Sequence, residues 1–194
     1  MTQSPSWLTR ERAIIGGGLI LAIVVVIVSI IAILNPPANP RAVLIEGVES
    51  ITGLVTQHVT TTVDYPQNPP AGGPHNAVWQ NCGVYNEPLA NEHAVHSLEH
   101  GAVWITYQPD LPASQIQTLA DITRRSSHRL LSPYPGIDSP IVLSVWGFQL
   151  RLGNADDPRL NQFIQKYEQG PSTPERGAVC SGGESRTLRQ LTSG

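Results

Sequence analysis

Lysine is almost missing from this chain: Lys166 stands alone beside eleven arginines, and methionine occurs only as the initiator. Charge is also scarce. Asp, Glu, Lys and Arg make up 14% of the 194 residues, against roughly 25% in an average soluble chain. There is no basic excess, since the formal net charge is −3, and this excludes nucleic acid as a partner, which asks for a basic footprint. Mean hydropathy is −0.10, so the chain as a whole is not a bundle of membrane helices. Cysteine is limited to two residues, and with one methionine this excludes a thioether site for Cu(I). What is abundant is glycine and proline, 17 of each, well above their usual combined share of about 12%.

The apolar residues are unevenly placed. Residues 13–34 read AIIGGGLILAIVVVIVSIIAIL, which is 22 positions without a charge. A helix of that length, at about 1.5 Å per residue, spans the roughly 30 Å hydrocarbon core. A cleaved signal peptide has an apolar stretch of only about 7–15 residues before a small-x-small site, and no such site follows here. The segment therefore reads as an uncleaved single-pass anchor whose partner is the lipid bilayer. Arg10 and Arg12 precede it, whereas Asn35-Pro36-Pro37-Ala38-Asn39-Pro40 follows it. The positive-inside rule places residues 1–12 in the cytoplasm and the remainder outside the cell membrane. Residues 35–43 form a Pro-rich spacer, 44–183 the extracytoplasmic domain and 184–194 a tail expected to be disordered. From Asn35 onward there are ten basic and fourteen acidic residues, so the exported part carries no basic patch for anionic lipid.

Export changes the meaning of the two cysteines. Outside the cytoplasm, Cys82 and Cys180 are most simply a disulfide. Closing a loop of that length contributes roughly 4–5 kcal/mol in the chain-entropy treatment. As a nucleophile Cys82 is less well supported, because Gln80-Asn81-Cys82-Gly83 lacks the thiol-protease signatures.

Patterning predicts an α+β domain, a small mixed sheet covered by about three helices and preceded by the single N-terminal transmembrane helix. One or two strands are expected within residues 42–62, including the β-branched run from Val59 to Val63. Residues 65–85 carry Pro66, Pro69, Pro70, Gly72, Gly73, Pro74 and Gly83, which forbid a long regular element. A loop this long in a compact domain is usually functional. Residues 91–100 are expected to be helical, with Asn91 as N-cap and Gly101 at the C-terminal end. Residues 102–107 form a strand, and Asp110-Leu111-Pro112 opens a helix to about Arg125. The densest apolar run, 140–152, reads as the strongest strand. Asp157-Pro158 starts a last helix whose Leu160, Phe163, Ile164 and Tyr167 fall on one stripe. Trp79 and Tyr85 are expected to cover the disulfide, and His128 to lie at the surface.

Half of the six histidines fall in residues 93–100. At about 100° per residue, His93, His96 and His100 share an arc of roughly 60°, with Ala94, Val95 and Leu98 on the other side. Neutral imidazoles converging on one face suit a borderline ion such as zinc or Cu(II). The same residues spell His96-x-x-Glu99-His100, the spacing of inverted zinc peptidases, in which Glu99 would be the general base. Those enzymes need a distant carboxylate ligand as well. Glu175 is far enough downstream but lies in a Pro-flanked loop. The alternative is structural: His100 near a helix C-terminus favours the dipole, and a Glu beside a His often simply pairs with it.

Taken together, Asp64-Tyr65-Pro66, Pro69-Pro70, Gly72-Gly73-Pro74-His75, Trp79-Gln80-Asn81-Cys82-Gly83-Val84-Tyr85 and His96-Ser97-Leu98-Glu99-His100-Gly101 resemble the bacterial, mainly actinobacterial, membrane-anchored domain of unknown function 3105. The resemblance covers residues 44–183. It implies an anchor and an extracytoplasmic domain, points to His75, His96 and His100 with Glu99 between them, and implies no activity. The first expectation is thus an extracytoplasmic protein with a His-centred zinc or copper site. Its ligands are His75, His96 and His100, with His93 or His58 as a fourth and Glu99 orienting an imidazole. The second is a zinc hydrolase with Glu99 as base. The third is a non-catalytic accessory subunit of a membrane complex.

Overall fold

The computed structural model describes residues 24–27, 30 and 44–193. The chain divides into two compact units, Met1–Asn39 and Pro40–Gly194. In the first, residues 24–27 and 30 are helical and exposed. The remainder of the expected anchor, the 1–12 terminus and the 35–43 spacer lie outside the described residues. Among the described residues no helix is long and apolar enough to cross a membrane.

The second unit is a mixed α+β domain built on a six-stranded sheet. Its strands are β1 (Val48–Ser50), β2 (Gly83–Val84), β3 (Val103–Tyr107), β4 (Arg129–Pro133), β5 (Ile141–Val145) and β6 (Phe148–Leu152). Their order across the sheet is β1-β6-β5-β3-β4-β2. The β1, β6, β5 and β3 strands run antiparallel to one another in that order, and β4 and β2 are added parallel to β3. The helices are α1 (Asn91–Glu99), α2 (Ala113–Thr123), α3 (Pro158–Tyr167) and the short α4 (Leu188–Thr192).

Strand pleating sends alternate side chains to opposite faces, and β3 shows the consequence. Val103, Ile105 and Tyr107 enter one core, together with Leu131, Leu143 and Leu150 of the neighbouring strands. The α2 and α3 helices cover that core with Leu119, Leu160, Phe163 and Ile164. The stripe read from the sequence on α3 is buried as expected, and Asp157 caps it, its carboxylate accepting from the Arg159 backbone at 2.9 Å. Trp104 points the other way, into a second core with Ala94, Val95 and Leu98 of α1, Leu130, Trp146 and Cys180. This second face also buries Thr106, Ser132, Ser144 and Gln149. Most of their polar atoms are paired: the Trp104 indole donates to Ser132 at 3.0 Å, and Gln149 donates to Ser144 and to the Pro69 carbonyl, both at 2.9 Å, while the Gln149 side-chain oxygen has no partner among the described residues.

Several expectations are corrected. The 140–152 run is a hairpin, not one strand. Trp146 and Gly147 make a tight turn in which Gly147 takes φ +79°, and the apolar pattern runs through it because Trp146 is itself buried. The β4 strand was not expected from the sequence; its five residues begin after a short turn from α2 and end in Pro133. Residues 59–63 form no strand, since Thr60, Thr61 and Thr62 are exposed and the segment has only a bridge between His58 and His75. Asn91 is the first helical residue rather than the cap, a place taken by Ala90. The tail expected to be disordered is ordered through residue 193, and its composition explains why the reading failed. It buries little apolar surface but is held by polar pairs: Glu184 bridges to Gln80, Arg189 pairs with Glu87, and Thr187 and Gln190 form a capping box on α4. The disulfide expected between Cys82 and Cys180 is present, with Cα atoms 5.3 Å apart, and it anchors this tail.

Candidate metal centre

The α1 helix presents its apolar residues to the sheet, which leaves His96, Glu99 and His100 on its other side. Its end is fixed by Gly101, which takes φ +94°. The Gly101 amide donates to Leu98 and the Ala102 amide to Ser97, both at 3.0 Å, the two bonds of a Schellman ending. A side chain at Gly101 is excluded as well, because a Cβ would come within 2.5 Å of the Gln169 amide. The helix therefore stops with His100 as its last, C-cap residue.

The long loop supplies the facing histidine. Gly72 and Gly73 take φ values of +126° and +117°, and the loop packs so closely that a Cβ on Gly72 would meet Leu54 at 2.7 Å. The chain then runs along α1, with the Gln80 amide donating to the His93 carbonyl at 2.9 Å. His58 is set beside His75 by two backbone bonds, Val59 to His75 at 2.7 Å and His75 to Gln57 at 3.0 Å.

Four residues meet here: His58, His75, His96 and Glu99 each offer a ligand atom within 4.8 Å of the others. His96, His100 and Glu175 form a second such group. Tetrahedral zinc, with ligand distances of about 2.0–2.2 Å, holds its ligand atoms roughly 3.3–3.6 Å apart, so modest side-chain adjustment suffices. His75, His96, His100 and Glu99 are 0–4% exposed, and for a glutamate such burial is rare without a partner.

The Nδ1 atoms of these imidazoles are held by backbone carbonyls: His75 by Gly73 at 2.8 Å, His96 by Asn76 at 2.6 Å and His100 by Val179 at 2.7 Å. A carbonyl can only accept, so each Nδ1 carries the proton and each Nε2 keeps its lone pair. Outer hydrogen bonds of this kind orient metal-ligating histidines. Burial pulls His96 down to about 4, and it lowers His75 and His100 in the same direction. The imidazoles are therefore neutral near pH 7, the form that binds metal. Burial, helped by the Glu175 charge, pushes the Glu99 carboxyl up to about 7.

One contact stands out. His75 Nε2 and Glu99 Oε2 lie 2.8 Å apart, close enough for an ion pair. Neither atom has a hydrogen-bond partner besides this contact among the described residues. With Nδ1 protonated and the ring neutral, this places two acceptor lone pairs face to face. Such a pair is unfavourable unless a proton or a cation stands between them.

Of the residues expected from the sequence, His75, His96 and His100 are brought to this centre, and His58 joins them. His93 is not: its Nδ1 faces the Val78 carbonyl at 2.6 Å, and it belongs to neither group. It lies at the edge of the helical arc, where the loop reaches it first. Glu175 stands within reach of the His100 ring, 3.4 Å from Nε2. The Pro-flanked loop that argued against it is tied back to α1, the Glu175 amide donating to the Glu99 carbonyl at 3.0 Å. The Trp79 ring lies 4.9 Å from that of His100 and 5.8 Å from that of His96. Tyr85 does pack in the core that contains the disulfide. His128, expected at the surface, is half-buried, with Nε2 3.0 Å from the Ala178 carbonyl.

Fold and centre together define a mixed α+β domain with a buried histidine–glutamate cluster. A family model described as a protein of unknown function, DUF3105, matches residues 58–182, and the chain belongs to that family. No curated protein and no solved structure matches it.

Proposed function

We propose that this chain is a membrane-anchored, extracytoplasmic metal-binding protein that takes zinc or Cu(II) through His58, His75, His96 and Glu99. The observation that carries the reading is the lone-pair contact of His75 Nε2 with Glu99 Oε2, buried and without other partners. A divalent cation between them takes the place of the proton that the raised Glu99 carboxyl otherwise supplies, and makes two ligand bonds. Three imidazole nitrogens and one carboxylate suit either ion, whereas both thiols are used up in the disulfide, which disfavours Cu(I). The export half rests on the uncharged 13–34 segment, its flanking arginines and a disulfide suited to an oxidising compartment.

A zinc hydrolase is the second reading, and one observation favours it. His96, His100 and Glu175 group together as the two histidines and distant carboxylate of that class would. Against it, Glu99 lies with His58, His75 and His96, as a ligand would, rather than with the His96–His100 pair. Glu99→Gln separates the two: in the binding reading it weakens zinc affinity, and in the hydrolase reading it largely spares affinity and abolishes hydrolysis.

The test is metal content and melting of the full chain in detergent. At zinc concentrations 100-fold above Kd, binding adds about 2.7 kcal/mol, or about 5–10 °C for a chain of this size. An unchanged melting temperature with zinc and with copper, and no bound metal, refutes the proposal.

A further inference from the structure

His96 belongs to both ligand groups. Its ring centroid is 4.8 Å from that of His75 on one side and 4.6 Å from that of His100 on the other. It has one nitrogen to give, because Nδ1 is committed to the Asn76 carbonyl. A single imidazole lone pair serves one cation at a time.

The two groups differ in completeness. His58, His75, His96 and Glu99 make a full set of four, the number that closes a tetrahedral ion. His96, His100 and Glu175 make three, which leaves a position for water or an incoming ligand. Each group reaches solvent at one residue, the first through the exposed His58 and the second through Glu175, whose side chain is 53% exposed. Glu175 and the Val179 carbonyl that holds His100 both lie just before Cys180, on the segment clasped by the disulfide.

We propose that the domain holds one metal ion in two alternative positions that share His96: an open loading position with His100 and Glu175, and a closed holding position with His58, His75 and Glu99. The inference rests on the metal-binding reading above and deepens it. The ion enters by exchanging three of its waters for Glu175, His100 and His96 and keeps one. It then shifts while His96 keeps hold of it, and His75, Glu99 and His58 replace His100, Glu175 and the last water. No bond to carbon changes and no electron is transferred; the proton on Glu99 is released to solvent as the ion arrives. Such a centre suits a protein that takes up a metal ion and passes it on.

Cu(II) is the probe, read by equilibrium titration, electron paramagnetic resonance and stopped-flow loading on the full chain in detergent. One copper per chain is expected, with a spectrum that is the sum of two species. Glu175→Gln, an exposed and structurally mild change, should leave one copper and only the holding species, and slow loading at least about tenfold. Glu99→Gln should leave only the loading species. His96→Gln should lose both. Two coppers per chain at saturation overturn the proposal, since they require His96 to serve both positions at once or not at all. So does a Glu175→Gln protein with the wild-type spectrum and loading rate. No copper bound by the wild-type chain refutes the metal-binding reading itself, an outcome distinct from the other two.

Discussion

The two faces of the sheet are built from different materials. Under α2 and α3 the buried side chains are almost all aliphatic or aromatic, and every one of them fills space. Under α1 a smaller apolar cluster shares the interior with serine, threonine, glutamine, histidine and glutamate. Burying polar groups is costly unless each is paired, so a domain that keeps so many on one face gives up stability there. The lesson is a division of labour. The face under α2 and α3 is built for packing, and the face under α1 gathers the polar groups.

Four measurements bear on the contrast between the two faces. The largest effect is expected on the apolar face. Phe163→Ala removes a fully buried ring and should cost about 3–5 kcal/mol in urea denaturation, with zinc affinity of the folded protein unchanged. A parallel loss of zinc affinity would show that the faces are not independent. Next, reducing the Cys82–Cys180 disulfide should cost about 2–4 kcal/mol, seen as a lower melting temperature that Cys82→Ser reproduces. A melting temperature insensitive to reductant removes the clasp from the account. Third, His75→Gln should lower zinc affinity at least about 100-fold, a change of about 2.7 kcal/mol, while shifting metal-free melting far less than Phe163→Ala does. Equal effects on melting would make His75 a structural residue.

The smallest effect is a pH profile. Glu99 titrates at about 7 in the fold, above its ordinary 4.5, so its contribution to stability is complete below 4.5 and lost as pH rises through 7. His96 titrates at about 4, below its ordinary 6.5, so its contribution is complete above 6.5 and lost as pH falls through 4. His75 and His100 are shifted downward as well. Metal-free melting should therefore peak near pH 6.5, and the increment from zinc should grow as pH rises through 7, because zinc displaces the Glu99 proton. A zinc increment that is the same at pH 6 and pH 8 would remove Glu99 from the ligand set.

What the sequence reveals follows from the range of each interaction. The α3 helix was legible because its stripe and its Asp157 cap are both local. The end of α1 was legible because Gly101 is a local signal too. The hairpin at Trp146 was hidden because both of its strands and its turn are apolar, so periodicity alone had no break to show. At the centre, His96 and His100 were visible as helix neighbours, and the loop glycines drew attention to His75. His93 was over-read because periodicity places side chains on a face but says nothing of the carbonyl that takes each one. Glu175 could be noted but not placed, because its position depends on a backbone bond to Glu99, 76 residues away in sequence.

The ligands from His58 to Glu175 are gathered from nearly the whole length of the domain. A chain is made from its N-terminus, and contacts between distant segments form late in folding. Neither His58 and His75 alone nor the α1 helix alone offers a complete set of donors. The four-residue group closes within residues 58–99, whereas the His96–His100–Glu175 group is complete only after the segment carrying Glu175 and Cys180 has returned to the start of the domain. In the reading above, a truncated or misthreaded chain would therefore keep the residues of the holding position and lose the loading one.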